Sequence, residues 1–426
     1  MIELRIFREE QKRVVESLKK RHIEDGAQMV ENVITLDDQR KKLQTEYDEL
    51  KADFNKSSKQ IGQLFQQGEV NQANALKAQM GQMKDTLKVL EEKQKKTKEQ
   101  LEQQLLDIPN VLHELVVPGK GEEDNEIYQD HEGPLPELSI EAQPHWELAK
   151  SYGLFDLELG VKITGSGFPV FTGKGARLQR ALISFFLNRA SAKGYTEVVP
   201  PLMVNADTAK ATGQLPDKEG QMYHITNDDL YLIPTAEVPL TNIYRDVILE
   251  EEDFPLKICG YTPCFRREAG SYGADVKGLN RVHQFDKVEL VQIQKPEYSY
   301  DTLVEMKEHV AGLLKELQLP YRILRLCGGD TGFTAAMTYD FEVYSAAQKR
   351  WLEVSSVSNF ETFQANRLKL RYRTDQGTEL AHTLNGSALA LARIIAALIE
   401  NGQTEEGIRI PEALVPYTGF ELIRPS

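Results

Sequence analysis

The chain has 426 residues, 41% of them hydrophobic, and a formal net charge of −14. That length holds one large core plus an accessory domain, and the acidity excludes a protein that coats nucleic acid by bulk charge. Three cysteines (Cys259, Cys264, Cys327) form no CxxC pair and no disulfide framework, which fits a reducing cytoplasm without structural zinc. The first residues, MIELRIFREEQKR, lack the apolar core of a signal peptide. The apolar run Ala388–Ile399 is short and interrupted by Arg393, so no membrane partner is expected.

Residues 1–30 read as a short amphipathic helix and a connector. A long periodic segment then begins at the cap-like Thr35. Leu36, Leu43, Leu50, Ser57 and Leu64 repeat every seven residues, with Tyr47, Phe54 and Ile61 at the other core position. After a break at Gln66–Asn71, where Gly68 permits a reversal, Leu76, Met83, Leu90 and Thr97 hold one register. Met80, Leu87, Leu101 and Ile108 hold the other. Two limbs of about 30 residues predict an antiparallel coiled-coil hairpin about 45 Å long. A dimerising coiled coil remains an alternative, although a hairpin fills its own seam and leaves its polar faces free. Residues 36–107 carry thirteen basic and thirteen acidic side chains. Lys84, Lys88, Lys93, Lys95, Lys96 and Lys98 cluster on the return limb, diluted by Glu91, Glu92 and Glu99. They suit either a solvated face or contact with phosphates.

Residues 111–130 read as a linker, with Pro, Gly and an acidic run but no sustained period. Beyond it, helices such as Ala176–Ala192 alternate with β-rich runs, which predicts an antiparallel sheet with helices around it. Gly173-x-Gly175 is too short for a dinucleotide fingerprint. Residues 194–204, GYTEVVPPLMV, should end a strand or lie on an edge, because Pro200 and Pro201 cannot donate to a ladder. Two strand-like runs, Tyr261–Glu268 and Val282–Gln292, flank a loop rich in Gly, Ser and charge. Their busy face would carry Arg266, Glu268, Arg281, Phe285 and Glu289: forks for phosphate, an aromatic for a base, and carboxylates for ammonium, metal or hydroxyl. Ordinary exposed charges on a surface hairpin are the plainer alternative. Trp351 opens a further strand in which Glu353, Ser355 and Ser356 suit Mg²⁺ and phosphate oxygens. Asn385-Gly386-Ser387 reads as a turn feeding an apolar helix, and Arg393 inside that helix must find an anion or solvent.

FRRE at 265–268 followed by RVHQFDKVEL at 281–290 resembles motif 2 of class II aminoacyl-tRNA synthetases, and specifically of the seryl-tRNA synthetases. Residues 194–204 resemble motif 1, with Pro201 at its proline, and GSALALAR at 386–393 resembles motif 3. Thr235-Ala236-Glu237 matches the seryl family's substrate loop, and residues 353–360 match its E-[IV]-S-S-x-S-N-F pattern. The resemblance covers both domains. It implies an α+β fold: an antiparallel sheet catalytic domain at 131–426 behind the 111–130 linker, and an N-terminal domain at 1–110 bearing the coiled-coil arm.

It also implies a cytoplasmic homodimer, paired through 194–204, that attaches L-serine to tRNA(Ser) by way of a seryl-adenylate. tRNA(Sec) would be charged where present. The partners implied are ATP, Mg²⁺, the tRNA acceptor end, and the tRNA's long variable arm on the hairpin. Arg266 and Arg393 would be catalytic. Thr235, Ala236, Glu237, Glu289, Asn385 and Ser387 would hold serine. ATP would meet Arg266, Arg267, Glu268, Arg281, Val282, His283, Gln284, Phe285, Glu353, Val354, Ser355, Ser356 and Arg393, with Glu353 and Ser356 on the metal. Ala274 stands where many relatives have a basic residue, which puts one loop contact in doubt, and Ala388 stands where Gly is frequent. A paralogue that loads a carrier protein would lack the arm; a catalytically dead tRNA binder would lose the motif arginines.

Overall fold

The computed structural model describes residues 1–138, 141–268 and 277–425. The chain divides into two compact units, Met1–Lys19 with Ile23–Pro109, and Lys20–His22 with Asn110–Ser426. The predicted loop position Ala274 lies outside the described residues.

In the first unit, two short helices, α1 (Leu4–Glu9) and α2 (Gln11–Lys20), precede two long ones, α3 (Gly26–Gln66) and α4 (Val70–Asp107). The long helices pair along the predicted seam. Leu43, Leu50, Phe54, Ile61 and Leu64 on one limb, and Met80, Met83 and Leu87 on the other, are half-buried and Leu90 is buried, while their neighbours on the outer faces are exposed. The reversal falls at Gly68, whose φ of +79° suits glycine. The helical start differs from expectation. Thr35 caps nothing and is exposed in mid-helix; α3 begins at Gly26, where an added Cβ would stand 2.7 Å from Leu18 Cβ. Two buried forces extend the helix: Val30 and Val33 are fully covered, and buried Asp37 pairs with Arg8, Arg40 and Lys41. Burial alone would raise the Asp37 carboxyl, but those three cations lower it to about 2.

The second unit is built on a sheet whose eight strands, among the described residues, are β1 (Glu126–Gln129), β2 (Thr196–Glu197), β3 (Leu256–Phe265), β4 (Gln284–Gln294), β5 (Tyr321–Arg325), β6 (Met337–Ser345), β7 (Arg350–Asn359) and β8 (His382–Ala390). Their spatial order is β1-β5-β6-β7-β8-β4-β3-β2. Every pairing is antiparallel except that of β2, which runs parallel to β3 at the edge. Helices α5 (Gly173–Ala192), α7 (Ser299–Glu316) and α8 (Leu391–Asn401) share one core with the sheet. Between α5 and α7 in the chain lies the short α6 (Glu237–Asn242). Alternation explains the layering: Val288 and Leu290 of β4 enter the helix-covered core, so Lys287 and Glu289 project to the other face.

Two expectations need correction. Residues 111–130 do not stand apart as a linker. Val111, Leu112 and Val116 are buried, and β1 is one edge strand of the sheet. Asn385-Gly386-Ser387 is no turn either; it lies mid-strand in β8. Gly386 serves close packing there, since a Cβ would stand 3.2–3.3 Å from Val357 and Met306.

Candidate active site

Strand register gathers the polar face. β4 presents Phe285, Lys287 and Glu289 at a period of two, and β8 places Ser387 opposite Glu289 and Asn385 opposite Val291. Thr235 and Glu237 arrive from the turn that opens α6. Thr235 Oγ1 donates to Glu289 Oε2 at 2.7 Å. Asn385 Nδ2 bridges both acids, at 2.9 Å from Glu289 Oε1 and 3.1 Å from Glu237 Oε2. Gln364 Nε2 donates to Glu237 Oε1 at 2.6 Å, and Thr383 Oγ1 donates to the Gln364 side-chain oxygen Oε1 at 2.7 Å.

The two carboxylates differ in their surroundings. Glu289 is fully buried and pairs with Lys287 Nζ at 2.6 Å. Glu237 receives amide hydrogens but is given no ion pair by the described residues. Burial, and then the charge of Glu289, push its carboxyl up to about 7. Sequence reading missed Lys287, Gln364 and Thr383. Lys287 sits between two chosen residues at the same strand period, so the signal was present. Thr383 is likewise two residues before Asn385, whereas nothing local marks Gln364. Ala236 is buried in a small cluster with Leu240, Ile258 and Val291, so any contact it offers a ligand comes from its backbone.

The expected phosphate and nucleotide residues fall into two groups. Arg266 Nε donates to the Pro234 carbonyl, and its guanidinium lies 5.3 Å from the Phe285 ring centroid. Glu268, at φ +47°, pairs with Arg281. At the first turn of α8, Arg393 donates from Nε to the Asn280 carbonyl at 2.9 Å and from one terminal nitrogen to the Glu353 carbonyl at 2.7 Å. That same nitrogen is 3.6 Å from the Glu353 carboxylate. Other residues look elsewhere. Arg267 reaches over the Tyr223 ring, His283 stacks on Phe168 at 5.5 Å, and Gln284 is exposed. Val282 and Val354 lie in the core, and Ser355 Oγ is spent on the Ser387 carbonyl at 2.6 Å.

A bulge brings the expected metal residues onto one face. β6 pairs Phe341 with Ser355 but Glu342 with Glu353, leaving Val354 as the extra residue. Residues three apart normally face opposite sides of a strand; the bulge brings Ser356 Oγ to 3.4 Å from Glu353 Oε1. Asp340 is opposite Ser356, buried, and its Oδ1 has no hydrogen-bond partner among the described residues. Burial, and then the charge of Glu353, hold its carboxyl well above the usual range. Among the described residues no group of three His, Cys, Asp or Glu could hold a metal alone. Two carboxylates and a hydroxyl do fit Mg²⁺, which keeps water and phosphate in its remaining positions.

Comparison with known proteins follows the same division of the chain. The seryl-tRNA synthetase N-terminal domain family matches residues 1–112, and the class II tRNA synthetase core domain family (G, H, P, S and T) matches residues 222–402. A serine–tRNA ligase of Salinibacter ruber is 50% identical over 99% of both chains. The chain belongs to the seryl-tRNA synthetase family. A second seryl-tRNA synthetase relative, from Prosthecochloris aestuarii, is 46% identical over 99% of each chain. Among solved structures, the seryl-tRNA synthetase of Pyrococcus horikoshii complexed with ATP matches with a TM-score of 0.92, at 34% identity and 100% coverage of both chains. The cytoplasmic serine–tRNA ligase of Naegleria fowleri in complex with AMP matches at 0.87, with 27% identity, 100% of this chain and 99% of that one.

Proposed function

We propose that this chain uses ATP to attach L-serine to tRNA(Ser), and to tRNA(Sec) where that tRNA exists. The observation that carries the reading is the pair of buried carboxylates joined by Asn385: Glu289 is ion-paired with Lys287, and Glu237 is in no ion pair among the described residues. Serine offers an ammonium and a hydroxyl. Glu237, in no ion pair among the described residues, suits the ammonium. Glu289, already charge-paired, suits the hydroxyl, with Thr235 and Ser387 beside it. Alanine would forgo the hydroxyl's hydrogen bond to Glu289, which supports its rejection.

In the first step a serine carboxylate oxygen attacks the α-phosphorus, the α–β bridging P–O bond breaks, and pyrophosphate leaves with the electron pair. No protein nucleophile is needed; positioning and charge stabilisation supply the rate. Arg266 holds the α-phosphate and the carboxylate, Phe285 stacks on adenine, Glu268 and Arg281 frame the nucleotide, and Arg393 draws in the γ-phosphate. Glu353, Ser356 and Asp340 would hold Mg²⁺, which when bound neutralises phosphate charge. In the second step the terminal ribose hydroxyl of tRNA attacks the adenylate carbonyl and AMP leaves.

The α3–α4 hairpin takes the long variable arm. Lys84, Lys88, Lys93, Lys95, Lys96 and Lys98 are all exposed, which supports that role. A homodimer forms through 194–204, supported by Val199, 87% exposed, beside Met203 at 48%. No described helix is long and apolar enough to cross a membrane, and the three cysteines are free, in keeping with the cytoplasm. Serine-dependent exchange of pyrophosphate into ATP tests the reading. Serine should support it and alanine should not; equal rates with both would refute the hydroxyl assignment.

A further inference from the structure

Outside the site lies a buried polar chain that the chemistry above does not use. Glu400, at the last turn of α8, has no exposed surface, and neither do His145 and Ser345. Glu400 Oε1 accepts from the His145 backbone N–H at 2.8 Å and from its ring Nδ1 at 2.6 Å. Ser345 Oγ donates to Glu400 Oε2, and Gln348 Nε2 lies 3.0–3.1 Å from both carboxylate oxygens. Burial alone would raise this carboxyl; the hydrogen bonds from His145 and Ser345 outweigh it and hold it below the usual range.

The network has an outlet. The Leu279 N–H donates to His145 Nε2 at 2.8 Å, which fixes the ring hydrogen on Nδ1, facing Glu400. Gln348 accepts from Asn280 Nδ2 at 3.0 Å. Leu279 and Asn280 are therefore held twice, once through the backbone and once through a side chain. The Asn280 carbonyl is in turn the acceptor for Arg393 Nε. Arg393 and Glu400 are seven residues apart on α8, two helical turns. One end of the helix grips the segment through the network, and the other end has its guanidinium oriented by the same segment. Gly278, at φ +69°, fits closely here, since a Cβ would stand 2.1 Å from His145 Nε2.

We propose that His145, Glu400 and Gln348 form a positioning device for Arg393, acting through Leu279 and Asn280. A guanidinium fork discriminates by direction, so a misplaced Asn280 carbonyl turns the remaining donors away from the phosphate. The inference rests on the reading that Arg393 meets the γ-phosphate of ATP.

The test is the ATP dissociation constant by calorimetric titration without serine, read beside the melting temperature and the Michaelis constant for serine. Gln348→Ala, at a half-buried position, should weaken ATP binding roughly fivefold to tenfold, the worth of one ordinary hydrogen bond. Its serine Michaelis constant should stay within about twofold. His145→Leu should weaken ATP more, and His145→Gln, whose Oε1 can accept the Leu279 N–H, should recover most of the loss. If His145→Leu does not fold, Gln348→Ala carries the test alone. In an Arg393→Lys background, Gln348→Ala should add little, because the fork it orients is gone. Unchanged ATP affinity in Gln348→Ala, parallel losses for ATP and serine, or full additivity with Arg393→Lys would each overturn the proposal. A wild-type chain that binds ATP but shows no serine-dependent exchange would instead refute the function and leave this inference standing or falling on the titrations.

Discussion

Moving from pH 8 to pH 6 should weaken serine binding about tenfold and leave ATP binding nearly unchanged. The cause is Glu237, whose carboxyl is pushed up to about 7 by burial and by Glu289. The ammonium of serine needs the ionised form. A group titrating near pH 7 is about nine-tenths ionised at pH 8 and about one-tenth at pH 6, and apparent affinity scales with that competent fraction. The difference is about 1.4 kcal/mol. Without ligand the sign is reversed. The folded state holds the proton more tightly than the unfolded chain, so stability falls as pH rises from the ordinary value of 4.5 toward 7. Calorimetric titration of serine at the two pH values reads the first effect, and thermal melts across the window read the second. Glu237→Gln should bind serine weakly and equally at both pH values and should lose the slope in stability. A wild-type serine affinity that stays flat between pH 6 and pH 8 would refute the assignment of the ammonium to Glu237.

Arg266→Ala and Arg393→Ala should each cut pyrophosphate exchange by about 10³-fold with an unchanged melting temperature; near-normal exchange in either would remove that arginine from the mechanism. Lys287→Met should cost about 3 kcal/mol of stability, because it leaves Glu289 buried and unpaired. Adding Glu289→Gln should restore most of that stability but not serine binding, as denaturant unfolding and titration would report. Replacing Leu36–Asp107 by a short Gly/Ser bridge should spare exchange and cripple tRNA charging, and charging by the intact chain should fall with salt more steeply than exchange. An armless protein that charged tRNA as well as the full chain would make the hairpin a structural element only.

What the sequence made legible was local and periodic. The heptads of α3 and α4 announce themselves because a coiled-coil seam repeats within its own helix, and the antiparallel β3–β4 pair shows in the alternation around Phe285 and Glu289. What it concealed depended on neighbours distant in the chain. Thr35 looks like a cap only until Asp37, Val30 and Val33 are seen buried in their own unit. Gly386 suggests a turn until Met306 and Val357 are found pressing on it. The 353–356 run reads as one ligand strip, yet the bulge at Val354 divides it: Glu353 and Ser356 share a face, while Val354 enters the core and Ser355 binds a backbone carbonyl. Lys287 was visible in the strand period but unmarked as chemistry. Gln364 and the His145–Glu400 pair are joined to the site only by the fold.

Serine selection by Glu237 and Glu289 underlies the proposed attachment to tRNA. Its most direct test is charging of an unfractionated tRNA mixture by the purified protein, with each amino acid supplied in turn. Serine alone should become acid-precipitable, and the charged species should be those with a long variable arm. Charging with another amino acid, or adenylate formation from serine with no transfer to any tRNA, would contradict the account.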